Sequence, residues 1–293
     1  MSMGKIDGRT TLVGLMGWPV GHTVSPAIHN TAFAAVGLNW RYVPLPVCPE
    51  RLREAVQGLR ALGFAGCNVT VPHKQAVIAC LDEVTDQARA IGAVNTIVVQ
   101  SDGSLVGHNT DVAGFMRALT EGGFRAEGKR AVIMGAGGAA RAVAYGLASA
   151  GAALVILNRT PVHTASLMAD LAQQFPTLSL RPAPLTLASL KQETNRADLV
   201  VNATSMGMWP DVEGSPWPDA LKMPSAVVVF DLVYNPLETK LMRQARAAGA
   251  QAMGGLEMLI YQGAAAWELW TAREAPVPVM AAAARAAFAP QEG

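Results

Sequence analysis

Short apolar runs alternate with longer amphipathic ones along the first third of the chain. TLVGLMG (11–17), WRYVPLPV (40–47), GCNVTVP (66–72) and AVNTIVVQ (93–100) have the composition of strands and are bounded by Gly, Pro or Asn. Between them SPAIHNTAFAAVG (25–37), ERLREAVQGLRALG (50–63) and KQAVIACLD (74–82) carry helical spacing. Ser25 as N-cap, Pro26 in the first turn and Gly37 as the stop delimit the first of these helices. A connecting helix is predicted over 111–123, and the pattern then restarts with AVIMGAGG, ALVILNRT, DLVVNATS and AVVVFDLVY, four strands separated by helical stretches. The Pro-, Asp- and Gly-rich segment 209–224 reads as a surface loop. From 255 onward, GLEMLIYQGAAAWELW is helical without strands, and packing back on the first domain would bury its apolar face. Strand–helix alternation of this kind implies an α/β protein with mainly parallel sheets covered by helices.

Composition narrows the class. About half the residues are hydrophobic (51%) and only 15% are charged, enough apolar material for a large core. A net charge of +1 provides no global field for nucleic acid or an anionic membrane, so neither is an expected partner. Cys48, Cys67 and Cys80 form no CxxC pair, which points to reduced thiols in a cytoplasmic protein and to no metal site. Residues 131–157 are apolar enough to span a bilayer and hold one charge, Arg141, but glycines at 135–138 and 146–151 break the run into strand, turn, helix and strand.

That glycine turn is the first candidate site. Residues 135–140 (GAGGAA) follow an apolar run and precede a helix, fitting Gly-x-Gly-x-x-Ala in a strand–turn–helix context. Gly135 permits the tight turn, Gly137 lets a pyrophosphate approach the backbone, and Ala140 allows close helix–sheet packing. Such turns also serve plain packing. The next strand adds information, because Asn158 lies 23 residues beyond Gly135, where enzymes using NAD usually carry an acid for the ribose 2′-hydroxyl. Arg159 and Thr160 follow it, and an arginine can grip a 2′-phosphate with forked, charge-assisted bonds. NADP is therefore the expected cofactor, the alternative being an arginine exposed on a turn.

Polar clusters occur at the strand ends of the first domain, where open α/β sheets bind ligands. GHTVSP (21–26) places the hydroxyls of Thr23 and Ser25 at a helix start, suited to a carboxylate or to simple capping. NVTVPHK (68–74) carries Asn68, Thr70 and Lys74, while Asn95 and the run HNTDVAG (108–114) add Asn109, Thr110 and Asp111. Singly, a lone lysine is a solvated one and an Asp opening a helix is a cap. Jointly, they set polar groups repeatedly against β-like apolar ones.

Taken in order, GWPVGHTVSPAIHN, GCNVTVPHK, GAVNT, GHNTDVAGF, GAGGAARA, NRT, VNATSMGM, DLVYNPLET and GGLEMLIYQG resemble the motif set of the shikimate dehydrogenase family and cover residues from about 11 to 275. The resemblance implies a substrate-binding catalytic domain over 1–110 and 255–293, and a Rossmann-like NADP domain inserted over 111–254, with a cleft between them. It also implies reversible reduction of 3-dehydroshikimate to shikimate. Lys74 and Asp111 would be the catalytic pair. Thr23 and Ser25 would hold the substrate carboxylate, and Thr70, Asn95, Asp111 and Gln262 its ring hydroxyls, with Tyr234 near the site. The cofactor would lie against Gly135, Ala136, Gly137, Gly138, Ala139, Asn158, Arg159, Thr160, Leu232 and Gly255. A small-molecule substrate is the expected partner, and a homodimer is compatible with this reading.

Two positions depart from the family pattern. Thr23 stands where the family commonly has Ser, so a methyl narrows the pocket. His163 stands where a second basic residue commonly follows the arginine, which weakens discrimination against NAD. His22, His29, His73 and His108 flank motifs and are read as structural. The rival readings are a relative acting on quinate or an aminoshikimate, and a non-catalytic NADP-binding regulator. The presence of both Lys74 and Asp111 speaks against the regulator. An interaction module would need an aromatic cluster, and only Trp209, Trp217 and the Trp267/Trp270 pair are candidates.

Overall fold

A computed structural model describes residues 6–288. The chain divides into two compact units, Met1–Thr110 with Ile260–Gly293, and Asp111–Leu259. The first unit begins with β1 (Thr11–Gly17), α1 (Ser25–Ala35), β2 (Trp40–Pro46), α2 (Leu52–Ala61) and β3 (Phe64–Val69). It continues with β4 (Glu83–Val84), α3 (Asp86–Ile91), β5 (Thr96–Val99) and β6 (Leu105–His108). The strands form one sheet in the order β2-β1-β3-β5-β6-β4.

β1 pairs in parallel with β2 and β3, and β4 with β6, whereas β5 runs antiparallel to both neighbours. The reversal has a local cause. Only Gln100–Ser104 separate β5 from β6, closed by the Gln100 N–H donating to the Ser104 carbonyl at 2.8 Å, with Gly103 at φ +84°. So short a link can join only antiparallel strands. β5 therefore starts, and β6 ends, at the edge where β1 and β3 end.

The helices depart in detail from the sequence expectation. α1 is capped by Val24 without a side-chain bond, so Ser25 is the first helical residue and not the N-cap. Gly37, at φ +69°, follows the last turn in the left-handed conformation a helix stop requires. The expected helix over 74–82 is a short 3-10 turn, Ala76–Cys80.

The second unit comprises α4 (Asp111–Glu121), β7 (Arg130–Met134), α5 (Gly138–Ser149), β8 (Ala153–Asn158), α6 (Pro161–Gln174) and β9 (Leu180–Pro184). Then come α7 (Leu187–Thr194), β10 (Leu199–Asn202), β11 (Val228–Asp231), α8 (Lys240–Ala247) and β12 (Gln251–Met253). Its sheet, β12-β11-β10-β7-β8-β9, is parallel throughout. Helices cover a parallel sheet on both faces, which is why Val132, Ile133, Val155, Ile156, Val200 and Val201 are all buried and read as continuous apolar runs. The hydrophobic stretch 131–157 resolves into β7, α5 and β8, and among the described residues no helix is long and apolar enough to cross a membrane. Sequence patterning missed β9 and β12, both edge strands. β9 (LRPAP) contains two prolines, tolerated only where ladder bonds are not needed on both sides.

α9 (Leu256–Thr271) and α10 (Val277–Ala286) carry the chain into the first unit. On one face of its sheet, Leu52, Val56 and Leu59 of α2 pack on Met16, Cys67, Val69 and Ile97. On the other, Phe33 stacks with Trp267 at 5.9 Å, and the Trp270 indole N–H donates to the Ile97 carbonyl at 2.9 Å. Gly66 makes that indole bond possible, because a Cβ there would lie 2.1 Å from Trp270 Nε1 and 2.5 Å from the Ile97 carbonyl oxygen. Gly66→Ala should therefore destabilise the fold by about 3 kcal/mol, the upper end for overpacking, read as a fall in urea midpoint at unchanged slope.

His29 lies in the same aromatic layer. It stacks on Tyr42 (4.3 Å, 5°), and its Nδ1 has no hydrogen-bond partner. Burial drives its pKa down from 6.5 to about 3. The folded state thus holds the neutral ring, and stability from this group is complete above about pH 6.5. As pH falls towards 3 the unfolded chain takes up the proton first, and stability drops by about 1.4 kcal/mol per pH unit. His29→Phe, which retains a ring for the stack, should flatten that slope in urea titrations between pH 4 and 6.5. An unchanged slope would remove His29 from the acid response.

Candidate active site

The edge of the first sheet collects the polar residues. At the end of β1, Thr23 N–H donates to the Val20 carbonyl, and Thr23 Oγ1 accepts from the Ser25 backbone N–H at 3.2 Å. The Thr23 hydroxyl oxygen, one residue before the N-cap Val24, thus meets the first helical N–H of α1, and Ser25 is buried on its first turn. At the end of β3, Thr70 N–H donates to the Met16 carbonyl at 2.9 Å and the chain turns through Pro72 to His73 and Lys74. Gly17 admits this approach, since a Cβ there would sit 2.4 Å from the Thr70 methyl carbon. The Lys74 carbonyl accepts from Val94 N–H at 2.7 Å, tying the lysine to the segment that enters β5. His73 is anchored beneath, its Nε2 2.7 Å from the Val47 carbonyl oxygen, a structural role.

Asn95 stands at the head of β5. Its Oδ1 accepts from Thr110 N–H at 2.7 Å, and its amide nitrogen donates to Thr110 Oγ1 at 2.9 Å and to Gln262 Oε1 of α9 at 3.3 Å. Two residues 167 positions apart in sequence are thereby joined. Asn109 donates to the Ala93 carbonyl, fixing the end of β6, and Asp111 follows Thr110 as the buried first residue of α4. His108, half-buried beside them, is shifted down by desolvation.

In the second unit, β7 and β10 are adjacent, and the chain winds away from them in opposite directions. This is the switch point at which doubly wound sheets bind nucleotides. Gly135 sits at the end of β7 with φ +113°, and a Cβ there would come within 2.9 Å of the Ala203 carbonyl oxygen at the end of β10. Gly137 caps α5, and a Cβ on it would meet nothing within 4 Å. Ala136, Gly138 and Ala139 complete the turn at the helix N-terminus, so backbone N–H groups are open to a pyrophosphate. At the end of β8 the Asn158 amide donates to the Thr160 carbonyl at 3.0 Å, holding a turn on which Arg159 and Thr160 are exposed. His163 is exposed on the following turn of α6. These residues fit an NADP ribose–phosphate.

Leu232 and Tyr234 follow β11, and Gly255 packs so closely that a Cβ on it would lie 2.1 Å from the Leu232 carbonyl oxygen. Burial pushes the Tyr234 phenol up, favouring its protonated, donating form. Beneath, the Asp231 carboxylate accepts from Asn202, from Val233 N–H and from the Thr239 hydroxyl at 2.8, 3.1 and 2.6 Å. Burial raises its pKa although these bonds favour the charged form.

Asn202, Asp231 and Thr239 were not picked out by sequence, nor were Tyr42 and Thr96 in the first unit. Their signal was available: Tyr42, Thr96, Asn202 and Asp231 are polar residues set among apolar strand residues, and Thr239 opens a helix as its N-cap, places that must be hydrogen-bonded once buried. Trp217 is a core residue whose indole donates to the Leu221 carbonyl, which removes it from any exposed aromatic cluster.

A polar sheet edge in one unit and a glycine turn at the switch point of the other define a two-unit α/β protein of the dinucleotide-binding class. Residues 15–97 match the shikimate dehydrogenase substrate binding domain, 118–232 the shikimate / quinate 5-dehydrogenase domain, and 255–285 the shikimate 5′-dehydrogenase C-terminal domain. A shikimate dehydrogenase (NADP(+)) of Moorella thermoacetica is 51% identical over 99% of this chain and 97% of its own. A crystal structure of a shikimate dehydrogenase with NADP+ superposes with a TM-score of 0.89 at 40% identity, covering 97% of this chain and 98% of the other. Shikimate 5-dehydrogenase of Thermus thermophilus, solved with NADP(H) and shikimate, gives 0.83 at 39% identity over 94% and 99%. The chain belongs to the shikimate dehydrogenase family.

Proposed function

We propose that the chain is an NADP-dependent shikimate dehydrogenase, interconverting 3-dehydroshikimate and shikimate. Near-full-length identity to curated enzymes of that name supports the reading. The observation that carries it to the site is the Asn95–Gln262 hydrogen bond, made on the sheet edge that also bears Thr23, Ser25, Thr70 and Lys74. Hydroxyls at the start of α1 suit the substrate carboxylate, and buried amides suit ring hydroxyls.

The bound cofactor supplies the hydride that becomes the new C–H bond. Lys74 then has the remaining chemistry: its ammonium donates a proton to the carbonyl oxygen, or steadies the developing alkoxide. Asp111 orients that ammonium and accepts a bond from a ring hydroxyl. Leu232 and Gly255 bound the nicotinamide end of the cofactor, Asn158, Arg159 and Thr160 its phosphate end, and Tyr234 is assigned to the substrate. On this reading residues 1–110 and 255–293 bind substrate, and 111–254 bind cofactor. The enzyme works in the cytoplasm, and a homodimer is compatible with it.

Steady-state kinetics with shikimate and quinate, each paired with NADP and NAD, tests the proposal through the absorbance of the reduced nicotinamide. The highest kcat/KM is expected for shikimate with NADP. Equal turnover of quinate, or a preference for NAD, would contradict it.

A further inference from the structure

The side-chain amides of Asn95 and Asn68 have no freedom of orientation, because two backbone groups, one for each, set their sense. The Thr110 N–H can only donate, so Asn95 must present Oδ1 to it, and its NH2 edge must be the one that meets Thr110 Oγ1 and Gln262 Oε1. The Asn95 carbonyl can only accept, so Asn68 turns its NH2 towards it at 3.2 Å. Its Oδ1 is then left to take the Tyr42 hydroxyl at 2.8 Å. Asn68 also donates to Thr96 Oγ1 at 3.0 Å, and Thr96 stands 3.1 Å from both Asn95 Oδ1 and Thr110 Oγ1. Asn68 and Thr96 are direct partners across the antiparallel β3–β5 pair, and Tyr42, Asn68, Thr96, Asn95 and Thr110 are all buried. Reversing Asn95 would set its NH2 against the Thr110 N–H, and reversing Asn68 would set its Oδ1 against the Asn95 carbonyl oxygen, inside the protein where an unmet polar group is costly.

We infer that Asn68, backed by Tyr42, is a positioning residue that acts through the Thr96 hydroxyl to hold Asn95, and through it Gln262, in the sense that the Thr110 N–H sets and in which they meet a hydroxyl of the bound substrate. The inference rests on the proposed role of Asn95 and Gln262 in holding ring hydroxyls, and it adds three residues that act through them. Water outside competes for the same amide edges. A network locked from beneath removes the reversed orientation before substrate arrives, which is preorganisation rather than a further contact.

The test compares wild type with Tyr42→Phe, Thr96→Val and Asn68→Asp. The first two remove one hydroxyl each at nearly constant shape, and the third removes both donors. KM for shikimate should rise about 3- to 10-fold in Tyr42→Phe and Thr96→Val, the worth of one buried hydrogen bond, and further in Asn68→Asp. KM for NADP should stay within about twofold. With a shikimate analogue lacking the non-reacting ring hydroxyls, the same variants should lose little relative to wild type. Parallel rises in both KM values, or equal losses with shikimate and the analogue, would mean a merely structural role and overturn the inference. Tyr42→Phe and Thr96→Val decide the matter even if Asn68→Asp fails to fold. A wild-type chain inert towards shikimate would bring down the functional reading and this inference with it; an active wild type with unaffected variants brings down the inference alone.

Discussion

Lys74→Ala should lower kcat for shikimate oxidation by about 10²–10⁴-fold, equivalent to roughly 3–5 kcal/mol of barrier, while KM for shikimate changes by less than about threefold. The split follows from the role. A group that acts on charge appearing only in the transition state contributes to kcat and little to ground-state binding. On the proposed function Asn95, Gln262 and the hydroxyls of Thr23, Ser25 and Thr70 carry the ground state, and they remain in the variant. Lys74→Arg separates proton transfer from electrostatics. It preserves the charge, but a guanidinium does not give up its proton at working pH, so the variant should stay slow. Activity near wild type in Lys74→Ala would exclude the lysine from the reaction.

The second large effect is expected at the cofactor. Arg159→Ala should raise KM for NADP by about 10- to 100-fold and leave KM for NAD nearly unchanged, the difference being the loss of a charge-assisted contact to the 2′-phosphate. Adding Asn158→Asp should invert the preference. The carboxylate repels the 2′-phosphate and accepts from a free ribose hydroxyl, and it also loses the amide bond to the Thr160 carbonyl that holds the turn. Kinetics with both cofactors read the result directly. Equal effects of Arg159→Ala on NADP and NAD would show that the arginine supports the turn instead of reading the phosphate.

The repeat of strand and helix was legible because buried parallel strands are apolar on both faces, and the glycine turn because its context is strand, turn and helix. Less visible were elements whose cause is not periodicity. β6 is four residues long and owes its direction to a tight link from β5, so nothing in its own pattern announces that β5 runs backwards. That reversal nevertheless brings Asn95 and Thr110 to the edge that holds Thr70. Ser25 looked like a cap because its type favours caps, yet Thr23 already satisfies the local N–H and leaves Ser25 inside the helix. Tyr42 and Thr96 read as ordinary strand formers, and their hydrogen-bonding duty emerges only when Asn68 is placed between them. The candidate residues were thus readable as types near motifs. Which of them support the others depends on cross-strand register, and no single stretch of sequence carries that.

On the proposed function, substrate seats on the edge of the first sheet with its reacting oxygen at Lys74. A crystal structure of this chain with shikimate and NADP+ bound measures it most directly. The Lys74 Nζ is expected within about 3.2 Å of the oxygen that is oxidised, with Asn95 and Gln262 in hydrogen-bond contact with ring hydroxyls. Shikimate seated away from Asn95 and Gln262, or with a different ring oxygen turned to Lys74, would contradict it.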